Sequence, residues 1–316
     1  MKQTSKSIAN ITKTIKDLSI WGQLLFAIVI AMGIYLCIKP FSRSYEYEGF
    51  TTTDKFLMRT NTVDIYDDFY SDIYDYLVYS DVKDEYEVGE ILRITSPNEK
   101  SRILDIGCGT GHHVSALASN NIEVIGIDQS TSMIARAKEN YPGLDFKVEN
   151  AMNGNIFRSD YFTHIICMYF TIYYMDDKRT FFNNCIRWLA SGGSLVVHMV
   201  DRDMFDPIVP PANPLITLTP QRYAKERITS SKVSFNDMKY SARFDLDEEN
   251  DSAKFVEKFT MNNSGRVIQN EHQFYIPSQA DILDIAKECG FIVQGKIDLI
   301  KSGYEYQYLY ILVKPT

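Results

Sequence analysis

Apolar and polar positions follow three different rhythms along this chain, and each predicts a different kind of element. The first is an unbroken run. From Leu18 to Ile38 no residue is charged, and only Ser19, Gly22, Gln23 and Gly33 dilute the apolar side chains. About 21 residues at 1.5 Å each make a helix of roughly 30 Å, the thickness of a bilayer core. Trp21 and Tyr35 stand near its ends, where amphipathic rings prefer to sit. A secretory leader has a shorter core and a small-residue cleavage site, and Tyr35–Pro40 offers none. The run predicts a retained transmembrane helix over 18–38, with a basic segment 1–17 before it and a juxtamembrane linker 39–60 behind it.

The second rhythm is helical. Val63, Tyr66, Phe69, Tyr70, Ile73, Tyr74 and Leu77 recur on one face, with Asp64, Asp67, Asp68, Asp72 and Asp75 between them. That is an amphipathic helix with an aromatic stripe, placed within a lid segment 62–94. From Arg102 short apolar runs alternate with helical stretches. Ile103–Ile106, Val124–Ile127, Leu144–Val148, His164–Tyr169 and Leu195–Val200 read as buried strands, with helices near Gly111–Ser119 and Ser130–Asn140. Strands apolar on both sides and separated by helices predict a parallel sheet covered on both faces, a core over 101–200.

The third rhythm is alternation. Phe235–Phe244, Lys254–Met261 and Val267–Tyr275 alternate between turns such as Asn262-Asn-Ser-Gly, which predicts an antiparallel insertion at 201–277. A helix over Ser278–Glu288, closed by Gly290 in the left-handed conformation, and strands near Phe291–Ile297 and Gln307–Val313 complete a domain of 61–316.

Composition narrows the chemistry. The 316 residues carry a net charge of −8, so the chain lacks the positive field that holds a phosphate backbone, and no nucleic-acid partner is expected. Five scattered cysteines form neither a CxxC zinc pair nor an even disulfide framework, and no metal site is expected. His112 and His113 are adjacent on a helix and point about 100° apart, which disfavours a shared ion. Lys2, Lys6, Lys13 and Lys16 before the apolar run barely outweigh Lys39, Arg43 and Lys55 after it, so charge leaves the topology open. The sequons at Asn250 and Asn262 would report a lumenal domain.

The most informative stretch is Ile103-Leu-Asp-Ile-Gly-Cys-Gly-Thr-Gly-His-His-Val, a strand running into three glycines and then a helix. The GxGxG spacing is not the GxGxxG of a dinucleotide site, and no Gly-Lys-Ser/Thr phosphate loop follows. Asp105 just before the turn suits a ligand bearing an ammonium group. Asp128, at the end of the next strand, is placed to accept hydrogen bonds from both hydroxyls of a ribose.

Leu104-Asp-Ile-Gly-Cys-Gly-Thr-Gly followed by Gly126-Ile-Asp-Gln-Ser-x-Ser-Met-Ile-x-x-Ala resembles the class I S-adenosylmethionine-dependent methyltransferases. Leu189-Ala-Ser-Gly-Gly-Ser-Leu-Val-Val is similar to the family's turn before strand five, and Tyr70-x-x-x-Tyr74-Asp75 to the lid helix of its small-molecule members. The resemblance implies a Rossmann-like α/β fold of seven strands, six parallel and one antiparallel. S-adenosyl-L-methionine would then be the cofactor. Asp105, Gly107, Cys108, Gly109 and Gly111 would hold its methionine portion, Asp128 the ribose, and Gln129, Met133, Asn150, Ala151 and Met168 the adenine side. Asn150 stands where the family usually has an acid, and Thr163 where it often has Asp.

Direct methyl transfer needs an acceptor atom in line with the S–CH3 bond, and a base only if the acceptor arrives protonated. Met168-Tyr-Phe-Thr-Ile-Tyr-Tyr lacks the Asn/Asp-Pro-Pro-Tyr/Phe of adenine or glutamine amino methylation, and no Pro-Cys nucleophile occurs. A small-molecule acceptor methylated at N or O is therefore expected, held by Tyr66, Tyr70, Tyr74, Tyr169 and His272, with His198 and Tyr173 as catalytic candidates. Aromatic faces of this kind attract amines and sulfonium ions. Asp201 and Asp203 read as solvated or capping residues. The apolar run adds a second expectation, a single-pass membrane protein acting on a lipid or quinone, with cofactor supply favouring a cytosolic catalytic face. A third is a tethered module that binds the cofactor without turnover.

Overall fold

The computed structural model describes residues 55–210, 221 and 224–316, together with Ser19, Trp21 and Gly22. The chain divides into two units, Met1–Thr53 and Asp54–Thr316. Apart from Ser19, Trp21 and Gly22, the expected membrane helix at 18–38 lies outside the described residues. Among those that are described, no helix is long and apolar enough to cross a membrane.

The second unit opens on strand β1 (Phe56–Arg59) and three helices, α1 (Thr62–Ile65), α2 (Asp68–Leu77) and α3 (Asp81–Thr95). The linker expected to reach residue 60 therefore ends earlier, and the single lid element expected over 62–94 is broken twice. Each helix starts at its own side-chain cap. Asn61 accepts from the Val63 amide at 3.1 Å, Asp67 from Tyr70 at 3.0 Å and Ser80 from Lys83 at 3.4 Å. Such caps satisfy backbone N–H groups that a helix start leaves unpaired, so Asp67 and Ser80 begin new helices instead of decorating an old one.

The central sheet contains β2 (Arg102–Ile106), β3 (Glu123–Asp128), β4 (Asp145–Val148), β5 (Phe162–Cys167), β6 (Leu189–Val200), β11 (Ile292–Asp298) and β12 (Gln307–Val313). Their order is β11-β12-β6-β5-β2-β3-β4, and β12 runs antiparallel to both its neighbours. This is the seven-strand sheet, with one antiparallel member, that the resemblance implied. Leu104 and Ile106 face a core layer containing Phe162, Phe181 and Trp188, whereas Ile103 faces Val114, Leu117 and Ile134. Burial on both sides explains why β2 reads as a continuous apolar run. Thr163 takes a strand-tying role, accepting the Arg102 amide at 3.0 Å.

Helices α4 (His112–Ala118) and α5 (Thr131–Asn140) follow β2 and β3. Helix α6 (Lys178–Trp188) was not expected, although Phe181, Phe182, Cys185 and Trp188 all lie buried at helical spacing and Asp177 caps it. Helix α7 (Gln279–Glu288) starts at Ser278, and Gly290 follows at φ +101°, as the sequence predicts.

The insertion forms a second sheet with β7 (Ser230–Ser234), β8 (Met238–Asp247), β9 (Ser252–Met261) and β10 (Val267–Tyr275), in the order β1-β10-β9-β8-β7. The strand expected over Phe235–Phe244 is found from Met238 onward as β8, and its first three residues are the turn of a β7–β8 hairpin. Phe235 donates its amide to the Met238 carbonyl at 2.8 Å, and Asn236-Asp237 make the turn. Strand β1 joins this sheet parallel to β10, with Phe56 opposite Val267, so a segment 211 residues upstream of its partner supplies the edge. The buried alternation of β9 and β10 includes three polar residues, Glu257, Asn270 and His272.

Candidate cofactor and acceptor site

The chain after β2 turns back under its own hydrogen bonds. The Gly107 and Cys108 amides both donate to the Ile127 carbonyl, at 2.8 and 3.0 Å, which fastens the turn to β3. Gly107 sits at φ +71°, and a Cβ there would come within 2.5 Å of the Thr171 side chain. Gly109, at φ +53°, would aim a Cβ across the cleft towards the Tyr74 ring, 3.7 Å away. Glycine at these positions meets the backbone geometry and keeps a cradle open.

Asp128 closes that cradle. Its Oδ2 accepts the Gly109 amide at 3.1 Å and its Oδ1 the Ser130 amide at 2.9 Å. Each oxygen keeps further acceptor capacity for a hydroxyl. Asp105 presents the opposite situation. It is 1% exposed, it lines the same cleft, and neither carboxylate oxygen has a partner among the described residues. Burial, helped by Asp84 and Asp128 and opposed by His113, pushes its pKa up to about 7. A buried carboxylate without a donor is costly unless a ligand supplies one. An amino-acid ammonium at Asp105 and a ribose at Asp128 fit both, so the residues present suit S-adenosylmethionine.

This carboxylate predicts how cofactor affinity varies with pH. Pairing with an ammonium requires the ionised form, so below pH 7 binding must expel the Asp105 proton. Affinity for S-adenosylmethionine is expected to fall about tenfold per pH unit between pH 7 and pH 5.5 and to level off just above 7. Calorimetry in buffers of different ionisation enthalpy should show proton release in that range. A flat affinity would remove Asp105 from the ammonium site.

The far wall of the cleft is aromatic. Tyr66, Tyr70 and Tyr74 come from the lid, Tyr169 and Tyr174 from the chain after β5, and His272 from β10. Tyr66 meets Tyr70 edge-on at 5.2 Å and His272 at 5.9 Å. Burial, with lesser contributions from neighbouring charges and hydroxyls, holds the Tyr66, Tyr70, Tyr74 and Tyr174 hydroxyls well above the usual tyrosine range, so all stay neutral near pH 7.

With this geometry in place, residues 103–193 match the family described as "Methyltransferase domain". Over that stretch the chain is similar to methyltransferase domains. Among curated relatives, a putative methyltransferase of Invertebrate iridescent virus 6 is 37% identical over 98 residues, 30% of this chain and 36% of that protein. A dTDP-4-amino-2,3,4,6-tetradeoxy-D-glucose N,N-dimethyltransferase of Saccharopolyspora spinosa is 30% identical over 142 residues, 43% of this chain and 56% of that protein. The chain thus spans about a third to just over half the length of these relatives. The CcbJ methyltransferase of Streptomyces caelestis has a similar fold, with a TM-score of 0.60 at 15% identity over 79% of this chain and 98% of that one.

Most of the expected cofactor residues come together. Asp105, Gly107, Cys108, Gly109, Asp128, Gln129, Met133, Ala151 and Met168 all line the cleft. Two do not. Gly111 lies behind the turn at φ +92°, where a Cβ would strike Phe146 at 2.7 Å, so it shapes the loop without facing the ligand. Asn150 is exposed and turns its carbonyl back to the Met152 amide at 2.8 Å, while Glu149 lines the cleft in its place.

The catalytic candidates are both displaced. Tyr173 is fully buried, outside the cleft lining, and its hydroxyl accepts the Val200 amide at 2.8 Å. His198 is also fully buried, with Nδ1 2.5 Å from the Tyr169 carbonyl and Nε2 3.0 Å from the Gln307 side chain. Burial and nearby Lys83 lower its pKa to about 4, so it is a neutral strut. It braces Tyr169, a non-glycine residue at φ +50° whose strained backbone turns its ring into the cleft wall.

The acceptor residues Tyr66, Tyr70, Tyr74, Tyr169 and His272 do share one cleft. Sequence reasoning missed Tyr174, which bonds both Tyr66 and His272, and Glu257 behind them. A signal for Glu257 was present. It falls in register with Phe255 and Phe259, an acid on the apolar side of an alternating strand. Asp84, Glu87 and His113 also converge closely enough to hold an ion. Lys83 Nζ, 2.5 Å from Glu87, already supplies that cluster with a cation.

Proposed function

We propose that this protein transfers the methyl group of S-adenosylmethionine to the amino nitrogen of a small molecule, with an amino sugar as the favoured acceptor. The observation that carries the reading is the aromatic wall of Tyr66, Tyr70, Tyr74, Tyr169 and Tyr174 facing the Asp105–Asp128 cradle across one cleft. Aromatic faces attract ammonium groups and the sulfonium donor alike. Positioning the two reactants in line supplies most of what direct transfer requires, on the order of 7–11 kcal/mol. The amino-sugar preference draws on the likeness to the amino-sugar N,N-dimethyltransferase of Saccharopolyspora spinosa.

The test is methyl transfer by the full chain from labelled S-adenosylmethionine to dTDP-linked 4-amino sugars. A set of simple primary amines and O-acceptors is run beside them. Methylated amine would support the reading, and transfer to hydroxyl acceptors alone would overturn it. Cofactor binding without turnover would favour a silent binding module.

We also propose that residues 18–38 anchor the chain in a membrane with the catalytic unit on the cytosolic side. The uncharged run and the cofactor's cytosolic supply support this. Release of the full chain from membranes by alkaline carbonate would overturn the anchor. Glycans at Asn250 or Asn262 would overturn the topology.

A further inference from the structure

His272 is 2% exposed and has a partner at each ring nitrogen. Nε2 lies 2.8 Å from Glu257 Oε2 on the neighbouring strand β9, and Nδ1 lies 2.6 Å from Tyr174 Oη. Glu257 is fully buried and receives the Tyr240 hydroxyl on Oε1 at 2.7 Å. At the other end, Tyr174 Oη meets Tyr66 Oη at 2.9 Å. All four bonds join side chain to side chain. They run from two half-buried hydroxyls in the cleft to a carboxylate inside the second sheet.

Donor and acceptor roles along this row follow from its inner end. An ionised Glu257 only accepts, so His272 must carry its proton on Nε2, which leaves Nδ1 bare. A bare Nδ1 accepts the Tyr174 O–H. Tyr66 then donates to Tyr174, and the remaining lone pairs of the two hydroxyls face the cleft. We propose that Tyr174, His272 and Glu257 form a proton relay that deprotonates the acceptor's ammonium group before methyl transfer. This rests on the amine reading above.

An alkylamine comparable to the lysine side chain titrates near about 10.4, so at neutral pH it arrives without a lone pair. In the relay, the acceptor R–NH3+ gives a proton to Tyr174 Oη while the Tyr174 proton moves to His272 Nδ1. The electron pair of the broken N–H bond stays on nitrogen, and the imidazolium formed is paired with Glu257. The freed pair then makes the N–CH3 bond as the S–CH3 bond breaks, and that bond's electrons remain on sulfur. The imidazolium afterwards returns its proton through Tyr174 to solvent. Tyr174 touches the acceptor, whereas His272 and Glu257 act through it.

The groups facing His272 are Tyr66 and Tyr70 from the lid, Tyr174 from the chain after β5, and Glu257, with Tyr240 behind it, from the second sheet. Burial, together with the Glu257 charge, keeps Tyr70 and Tyr174 well above the ordinary tyrosine range. Both therefore remain neutral, so Tyr174 passes a proton on without storing it.

The experiment has two arms on the full chain. Imidazole nitrogen NMR, with the His272 signals identified by their loss in His272→Gln, reads the wiring without an acceptor. A neutral ring with the proton on Nε2, perturbed in Glu257→Gln and Tyr174→Phe, is expected. A proton on Nδ1 would overturn the relay. The second arm measures kcat/KM for a dTDP-linked 4-amino sugar from pH 6.5 to 10. His272→Gln is expected to lose about tenfold to a hundredfold at pH 7 and to come within a few-fold of wild type at pH 10, where roughly 30% of the amine arrives neutral. S-adenosylmethionine affinity should be unchanged. An equal loss at every pH, or none, would sink the relay and leave the amine reading standing. A wild-type chain that binds the cofactor but methylates no amine would overturn both.

Discussion

Asp128→Ala is expected to weaken S-adenosylmethionine binding by about two to four orders of magnitude while the domain remains folded. Two ribose hydroxyls would each lose a hydrogen bond to a charged acceptor, at about 1.5–3 kcal/mol apiece. The same side chain also pins the glycine turn by accepting the Gly109 amide at 3.1 Å. Its removal frees the turn that must present its backbone to the methionine portion, so the loss should approach the upper end of that range. Asp128→Asn should fall between the two, because the amide oxygen can still accept one of these bonds but carries no charge. Calorimetric titration, paired with thermal unfolding of each variant, checks both halves of the expectation. Loss of less than tenfold in a folded Asp128→Ala protein would place the nucleoside elsewhere in the cleft.

That prediction was available from the sequence because its signal is local. A strand, a GxGxG turn and an acid at the end of the next strand lie within 26 residues, and neighbouring parallel strands must bring Asp105 and Asp128 to one edge. The parallel sheet covered on both faces was legible for a similar reason. Strands apolar on both faces need helices on both sides, and right-handed crossovers leave few arrangements. The acceptor wall was only half legible. Tyr66, Tyr70 and Tyr74 repeat at helical spacing and could be grouped by eye, but which face they share with Tyr174, Glu257 and His272 depends on how an insertion more than 180 residues away folds back. His198 and Tyr173 misled because position at the end of a strand says nothing about what lies beyond it. His198 meets a carbonyl and an amide there, and Tyr173 a backbone N–H. The lid was read as one element because its apolar stripe continues across Asp67 and no break was read at Ser80. Periodicity detects a face, and only the caps reveal where one helix stops and another begins.

The buried cluster beneath the glycine turn yields the largest expected effect on stability. Glu87 is fully buried on α3, with Lys83 Nζ 2.5 Å from one oxygen and His113 Nε2 3.1 Å from the other. Burial alone would raise its pKa, but Lys83 and His113 outweigh burial and bring it down to about 2. Burial likewise opposes a charge on His113, yet Asp84 and Glu87 hold its pKa at about 9. Glu87→Gln keeps the volume and removes the charge, leaving two buried cations short of a partner. A loss of about 3–5 kcal/mol in unfolding free energy is expected, read by denaturant titration. The pH dependence gives a separate check. His113 gains its charge more readily folded than unfolded, so its contribution is complete below about pH 6.5 and is lost as pH rises through 9. Glu87 is more acidic folded than unfolded, so its contribution is complete above about pH 4.5 and is lost as pH falls towards 2. The two limbs describe one interaction and are not summed. In Glu87→Gln the acid limb should disappear and the alkaline limb should shrink to what Asp84 still provides. A loss under 1 kcal/mol with the alkaline limb unchanged would mean that water reaches the cluster. The same substitution should also reach the cofactor, because the charge on His113 favours the ionised form of Asp105. As His113 loses its charge more readily, Asp105 becomes harder to ionise, and the pH at which cofactor affinity levels off should move upward from 7. A shift of that limb in a chain altered only at Glu87 would tie the buried cluster to the ammonium site.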